Sequence, residues 1–293
     1  MSSSILVNAS ALTALQALNM TQQNLQTTES QVSTGLKIST AADNAAYWSI
    51  GTKMSSQNSA LGAVSDALNE SGSLLSTMTT ALNSTLSIMT KIQNDLISAE
   101  QPGADQASIQ TDIQSQQQAL LSIGNAANFN GQNFLNTTTP GTVGLVASYD
   151  PANGVSTINI DTTTTQLFNG TLAIGGGILD SAGTASGVSI LTLNINGVTS
   201  GAIQNMLTDL QTAVSSITTA SSTLGATTTN ITNQQTFVTA LSNSLTNGVA
   251  SLVDADMNQA STRLSALQVQ QQLGIQALSI ANTNTQLILK LFQ

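Results

Sequence analysis

Two ladders of apolar residues at seven-residue spacing constrain this chain more than any other feature. Leu61, Leu68, Leu75, Leu82, Met89 and Leu96 form the first, and Val64, Met78 and Ile92 fall three residues after members of it. Ile203, Leu210, Ile217, Leu224, Ile231, Val238, Leu245 and Leu252 form the second, supported four residues on by Leu207, Val214 and Val249. A seven-residue repeat sustained this long predicts α-helices packed as a coiled coil with left-handed supercoiling. At ~1.5 Å per residue the helices would run on the order of 50 and 75 Å, and each would leave an apolar stripe in water if alone. The ladders therefore need each other. Intervening positions are mostly Ser, Thr and Gln, with few flanking charges, so pairing rests on shape. An ordinary helical-bundle core is the blander alternative, and the unbroken run of rungs argues against it.

All three prolines, Pro102, Pro140 and Pro151, fall between 102 and 151, leaving both arms free of the strongest helix breaker. After the turn Gln101-Pro102-Gly103, a shorter helix is expected, with Ile109, Ile113, Leu120 and Ile123 as its apolar stripe, folding back on the first ladder. Asn128-Phe129-Asn130-Gly131 then signals a turn. The Thr/Gly-rich stretch that follows reads as β-strands at Val143–Tyr149, Val155–Ile160, Thr171–Ile174 and Val188–Ile195, joined at Asn153-Gly154, Asn169-Gly170 and Asn196-Gly197. The fold class expected is thus mainly α: an elongated antiparallel coiled-coil bundle formed by the N- and C-terminal arms, with a small β-rich insertion at the distal end.

The two ends carry stripes of their own. Leu15, Leu18, Leu25, Val32 and Leu36 keep heptad spacing near the N-terminus. At the C-terminus Leu264, Leu267 and Leu278 form one stripe; Val269, Leu273, Ala277 and Ile280 form another, with Leu287, Leu289, Leu291 and Phe292 beyond. A helix apolar on two sides must bury both, which points to neighbouring subunits.

Composition narrows the function. Charged residues make up 6% of the 293, against about 25% in typical soluble domains. Neutral polar faces can pack against copies of themselves without desolvating many charges. The net charge is −9, with Lys37, Lys53, Lys91, Arg263 and Lys290 the only cations, so there is no basic stripe for nucleic acid. The absence of His and Cys removes the commonest general base, thiolate nucleophile and metal ligands. Asp254 and Asp256 resemble a fragment of a calcium loop without its Gly and terminal Glu, and read better as a solvated helix start. No enzyme and no cofactor are expected. No run approaches the roughly 20 apolar residues of a membrane span, so no membrane insertion is expected. Nor does the N-terminus look like a signal peptide.

Ser33-Thr34-Gly35-Leu36-Lys37-Ile38, followed by Ala41-Ala42-Asp43-Asn44-Ala45-Ala46, resembles the flagellin signature of a Gly-Leu-basic-Ile segment before an Ala-rich Asp-Asn stretch. Asn128-Phe129-Asn130-Gly131-Gln132 is similar to the turn after the third helix of that family. So is the tail, from Leu252-Val253-Asp254-Ala255-Asp256 through Gln271-Gln272-Leu273-Gly274 to Leu289-Lys290-Leu291-Phe292-Gln293. These matches cover about 1–136 and 203–293, in order.

The resemblance implies a structural subunit of the bacterial flagellar filament, exported unfolded through a type III apparatus and polymerised outside the cell. Residues 1–40 and 255–293 would be the terminal helices of the inner filament core, 41–136 and 202–254 a coiled-coil spoke, and 137–201 a variable outer domain. Expected partners are the chain itself, an export chaperone on the C-terminal helix, and the filament cap and junction proteins. Gly35 would let the chain turn between inner and outer helices, a role compatible with an ordinary helix C-cap. Many members carry an Arg-rich patch read by the animal Toll-like receptor for flagellin; the matching segment here, with Met89, Lys91, Ile92 and Asp95, has no Arg. The nearest rival is the hook–filament junction protein. That relative usually has prolines where this chain has Ser39–Ala46, which contains none.

Overall fold

The ladders become the long helices of a computed structural model that describes residues 8–169 and 175–291, with side chains of the last helix given up to Thr283. Five α-helices occur among the described residues: α1 (Ala9–Thr34), α2 (Ala45–Ala99), α3 (Gln106–Ala126), α4 (Ser200–Val253) and α5 (Met257–Leu291). Two strands, β1 (Thr142–Asp150) and β2 (Gly154–Asp161), form one antiparallel hairpin. This agrees with the mainly α reading. The chain divides into two compact units, residues 59–242 and residues 1–58 with 243–293.

In the 59–242 unit, the first ladder is sealed: Leu68, Leu75, Leu82, Met89 and Leu96 are fully buried, and Leu61 nearly so. Ile203, Leu210, Ile217, Leu224, Ile231 and Val238 of α4 are buried to the same degree. Each such side chain contributes roughly 1.5–3 kcal/mol relative to exposure. Polar bonds along the flank fix the direction. Gln235 Nε2 donates to Asn69 Oδ1 at 3.0 Å, and Gln204 Nε2 donates to Glu100 Oε1 at 2.7 Å. Going up α2 from Asn69 to Glu100 means going down α4 by the same interval, so the pair is antiparallel.

Helix α3 follows the Pro102-Gly103 turn, where Gly103 has φ +86°. Asp105 caps it by accepting from the Ala107 and Ser108 backbone N–H groups. Ile113 and Leu120 are fully buried, while Ile109 and Ile123 are half-buried. A bond from Gln116 Nε2 to Asp95 Oδ2 at 2.7 Å holds α3 to α2.

The middle segment departs from expectation in part. Hairpin β1–β2 lies where the first two alternating runs fall, turning at Asn153-Gly154 with Gly154 at φ +81°. Its register is interrupted between Val146 and Ser148. The expected strand Thr171–Ile174 lies outside the described residues. The expected strand Val188–Ile195 is not one: Ile190–Thr192 is a 3₁₀ turn in an otherwise irregular run. Leu193 and Ile195 are buried on either side of exposed Asn194, as in a strand, but Ile190 is buried out of that period, and side chains of α3 take the place of a neighbouring strand. Gln110 Oε1 accepts from the Ile195 N–H at 2.7 Å, and Gln117 Nε2 donates to the Ile190 and Leu193 carbonyls at 2.9 and 3.0 Å. Asn196-Gly197 is correspondingly a turn into α4, not a link between strands.

One heptad beyond Gln117 stands Gly124, where any side chain would strike the Phe168 ring. Asp209, almost fully buried on α4, completes the anchorage by accepting from the Ala185 and Ser186 N–H groups at 2.9 and 2.6 Å.

Candidate assembly surface

In the unit formed by residues 1–58 and 243–293, the terminal helices pack on each other. Asn8 caps α1 through a 3.0 Å bond from the Ala11 N–H, and its amide donates to the Ala281 carbonyl of α5 at 2.9 Å. Further along, Gln271 Nε2 donates to Gln22 Oε1 at 2.7 Å. These contacts make α1 and α5 antiparallel. Gly274 sits at the crossing, where an added Cβ would come within 3.1 Å of Leu18 Cδ1.

At its C-terminal end α1 stops at Gly35, in the left-handed region at φ +73°, with its N–H donating to the Gln31 carbonyl at 2.9 Å. The two interhelix linkers are then laced together. Lys37 and Ile38 N–H groups donate to the Val253 carbonyl at 2.7 and 3.2 Å, and the Ala255 N–H donates to Gly35 O at 2.9 Å. Asp43 ties the following loop, since its Oδ2 accepts from the backbone N–H and hydroxyl of both Ser39 and Thr40. The backbone bonds from Thr40 and Ser39 hold the Asp43 carboxyl below its ordinary range. Asn44 then caps α2, and Asp256 caps α5 by accepting from Asn258 and Gln259. The Asp254–Asp256 pair therefore contains a helix start.

This lacing sets which faces are covered. Leu25 and Leu267 are buried, together with Thr28, Ile38 and Ala260. Leu18, Val32, Leu36, Leu264 and Leu278 are half-buried, as are the last two rungs of the second ladder, Leu245 and Leu252. The opposite faces are bare. Leu12, Leu15 and Met20 on α1, and Val269, Leu273 and Ile280 on α5, are 44–64% exposed, and Ile275, on the same side of α5 as Leu264, is 54% exposed. Side chains of Leu287 and Leu289 lie outside the described residues. In sequence, α1 and α5 carry only three charged residues, Glu29, Arg263 and Lys290.

Sequence patterning did not identify a third exposed patch. Tyr47, Trp48 and Ile50, at the start of α2, are 39–47% exposed. The aromatic pair was visible in a chain with 3% aromatic residues, but it belongs to no ladder. In the segment matched to the receptor-read patch, Met89 and Ile92 are fully buried, Lys91 is exposed, and Asp95 is half-buried against Gln116. Among the described residues no helix is long and apolar enough to cross a membrane, and no group of three acidic side chains could hold a metal ion.

The family model for the bacterial flagellin N-terminal helical region matches residues 5–139, and that for the C-terminal helical region matches residues 207–292. A protein named Flagellin C from Rhizobium meliloti (strain 1021) is 39% identical over 99% of both chains. The chain belongs to the flagellin family. A Brucella melitensis flagellin is 41% identical, again over 99% of both chains. The crystal structure of a Bacillus cereus flagellin aligns more loosely, at TM-score 0.43 and 18% identity over 58% of this chain and 86% of that one. Both flagellin family regions thus fall on the helical arms, and the middle segment lies between them.

Proposed function

We propose that this flagellin is the structural subunit of a bacterial flagellar filament, secreted and polymerised into a helical tube outside the cell. The observation that carries the reading is the two-sided α5 helix. Leu264, Leu267 and Leu278 face inward while Val269, Leu273 and Ile280 stay bare in a neutral surround. A contiguous apolar face of this kind marks an interaction site. Its low charge lets a second copy pack there with little desolvation cost.

In this reading the ladder residues from Leu61 to Leu96 and Ile203 to Leu252 fold the subunit, and the α1 and α5 stripes join it to others. Residues 1–40 and 255–293 supply the inner core, 41–136 and 202–254 the spoke, and 137–201 the outer part. An export chaperone on α5, and cap and junction proteins at the filament ends, are the further partners. The junction protein itself is the weaker reading, because Ser39–Ala46 lacks proline and the similar proteins are flagellins.

Electron microscopy of purified protein seeded with filament fragments tests the proposal. Long tubes are expected. Persistent monomers would transfer the assignment to the junction protein.

A further inference from the structure

The net charge of the chain is not shared between its two compact units. The unit formed by residues 1–58 and 243–293 carries four acids, Glu29, Asp43, Asp254 and Asp256, against four cations, Lys37, Lys53, Arg263 and Lys290. Its charge therefore cancels. Residues 59–242 carry ten acids and one cation, Lys91, so the whole excess of −9 falls there. No Lys or Arg interrupts the sequence between Lys91 and Arg263.

Most of that charge stands in water. Asp66, Glu70, Asp105, Asp112, Asp150 and Asp161 are exposed, and only Asp180 and Asp209 of this unit's acids are sealed. Protonation does not relieve it near neutral pH. Hydrogen bonds led by the Ser108 side chain, the Ala152 N–H and the Thr163 side chain hold the Asp105, Asp150 and Asp161 carboxyls below their ordinary range.

A polymer joined through the neutral unit must carry the acidic one with it, because α2 and α4 run through both. A net charge far from zero keeps molecules apart by self-repulsion. Copies touching through a compact unit of about a hundred residues stand roughly 30 Å apart. That is one Debye length in salt of about 10 mM and several in about 150 mM, so the repulsion reaches the next copy only in the dilute case.

We infer that the 59–242 unit gates assembly by ionic strength: its repulsion holds subunits apart at low salt, and screening by dissolved cations releases them. The inference rests on the filament reading and adds to it the force that opposes polymerisation.

Seeded assembly of the full chain, with tubes scored by microscopy and the unassembled concentration measured after sedimentation, tests the gate. That concentration should fall about tenfold between about 10 and about 150 mM sodium chloride. Asp66→Lys with Asp112→Lys, both at exposed positions, takes the unit from −9 to −5, since each reversal removes two negative charges. The variant should melt at the parental temperature, assemble at the lower salt and respond to salt less. Asp66→Asn with Asp112→Asn should fall in between. A parent that assembles equally well at both salts overturns the gate, as does a Lys variant with the parental salt response, and both results leave the filament reading intact. Absence of tubes at either salt sinks the filament reading and the gate together.

Discussion

The Ala255 N–H donates to the Gly35 carbonyl at 2.9 Å, joining the α1–α2 linker to the α4–α5 linker. Because Lys37 and Ile38 bond to Val253 beside it, two chain reversals hundreds of residues apart in sequence share one small hydrogen-bonded patch. The two linkers are thereby pinned to each other within the unit formed by residues 1–58 and 243–293.

Gly35→Ala tests that patch. Nothing lies within 4 Å of where the Cβ would go, so the expected cost is backbone strain alone. Holding an L-residue in the left-handed region costs about 1–2 kcal/mol. A lower melting temperature is expected for Gly35→Ala, with Gly35→Asn losing less because Asn tolerates this conformation. Equal losses in the two variants would point to a steric cause instead.

Leu75→Asp should be the most damaging change in the ladder. Leu75 is fully buried, and an unpaired carboxylate there costs several kcal/mol. Thermal melting should show that loss, while Leu75→Ala costs about 2–5 kcal/mol. An unchanged melting temperature for Leu75→Asp would contradict the seam assignment.

Those two sites also show what was legible in the sequence. The heptad rungs, the Gly35 break and the hairpin at Asn153-Gly154 were readable because periodicity and turn chemistry are local signals. Leu264 and Leu273 could be assigned to different stripes for the same reason. Gln110, Gln117 and Asp209 could not be read, since a buried polar residue looks like a surface one until its backbone partners arrive from distant sequence. The mistaken strand at Val188–Ile195 has the same origin: alternation records burial on one side and says nothing of whether a strand or a helix side chain satisfies the backbone. Trp48 shows a further gap, because exposure of an aromatic depends on how the linkers set the helix.

Thr85 marks a defect in the seam. It is fully buried between Leu82 and Met89, and its hydroxyl has no hydrogen-bond partner, whereas Thr79, Thr80 and Thr90 each donate to the carbonyl four residues back. An unsatisfied buried hydroxyl costs about 1–3 kcal/mol. Thr85→Val, of nearly the same shape, should therefore stabilise the fold by about 1 kcal/mol, raising the melting temperature by roughly 2–4 °C. A fall in stability would show that the hydroxyl has a partner after all.

Asp209 gives the acid dependence its sign. Burial raises its pKa, but bonds from the Ser186 side chain and the Ala185 and Ser186 N–H groups lower it further, leaving the carboxyl below the ordinary 3.8. A folded-state pKa below the unfolded one stabilises above the unfolded value, and that contribution fades as pH falls towards the folded pKa. Stability should be flat near neutrality and decline below 3.8. Asp209→Asn should melt lower at pH 7 and show a shallower decline in acid. Parallel acid profiles for variant and parent would remove Asp209 as a contributor.

The segment around Lys91 should make this flagellin a poor agonist of the animal Toll-like receptor for flagellin. A receptor can reach Lys91 but neither Met89 nor Ile92, which are sealed in the seam, and Asp95 adds a carboxylate already engaged by Gln116. A single lysine cannot supply the planar, multi-donor fork of an arginine. Reporter cells should respond well below a flagellin with an Arg-rich patch. Thr90 and Asn94 are exposed one turn apart on the same helix, so Thr90→Arg with Asn94→Arg adds two forks without disturbing the core. That variant should gain response while melting at the parental temperature. Full potency of the unmodified protein would show that recognition rests on other residues.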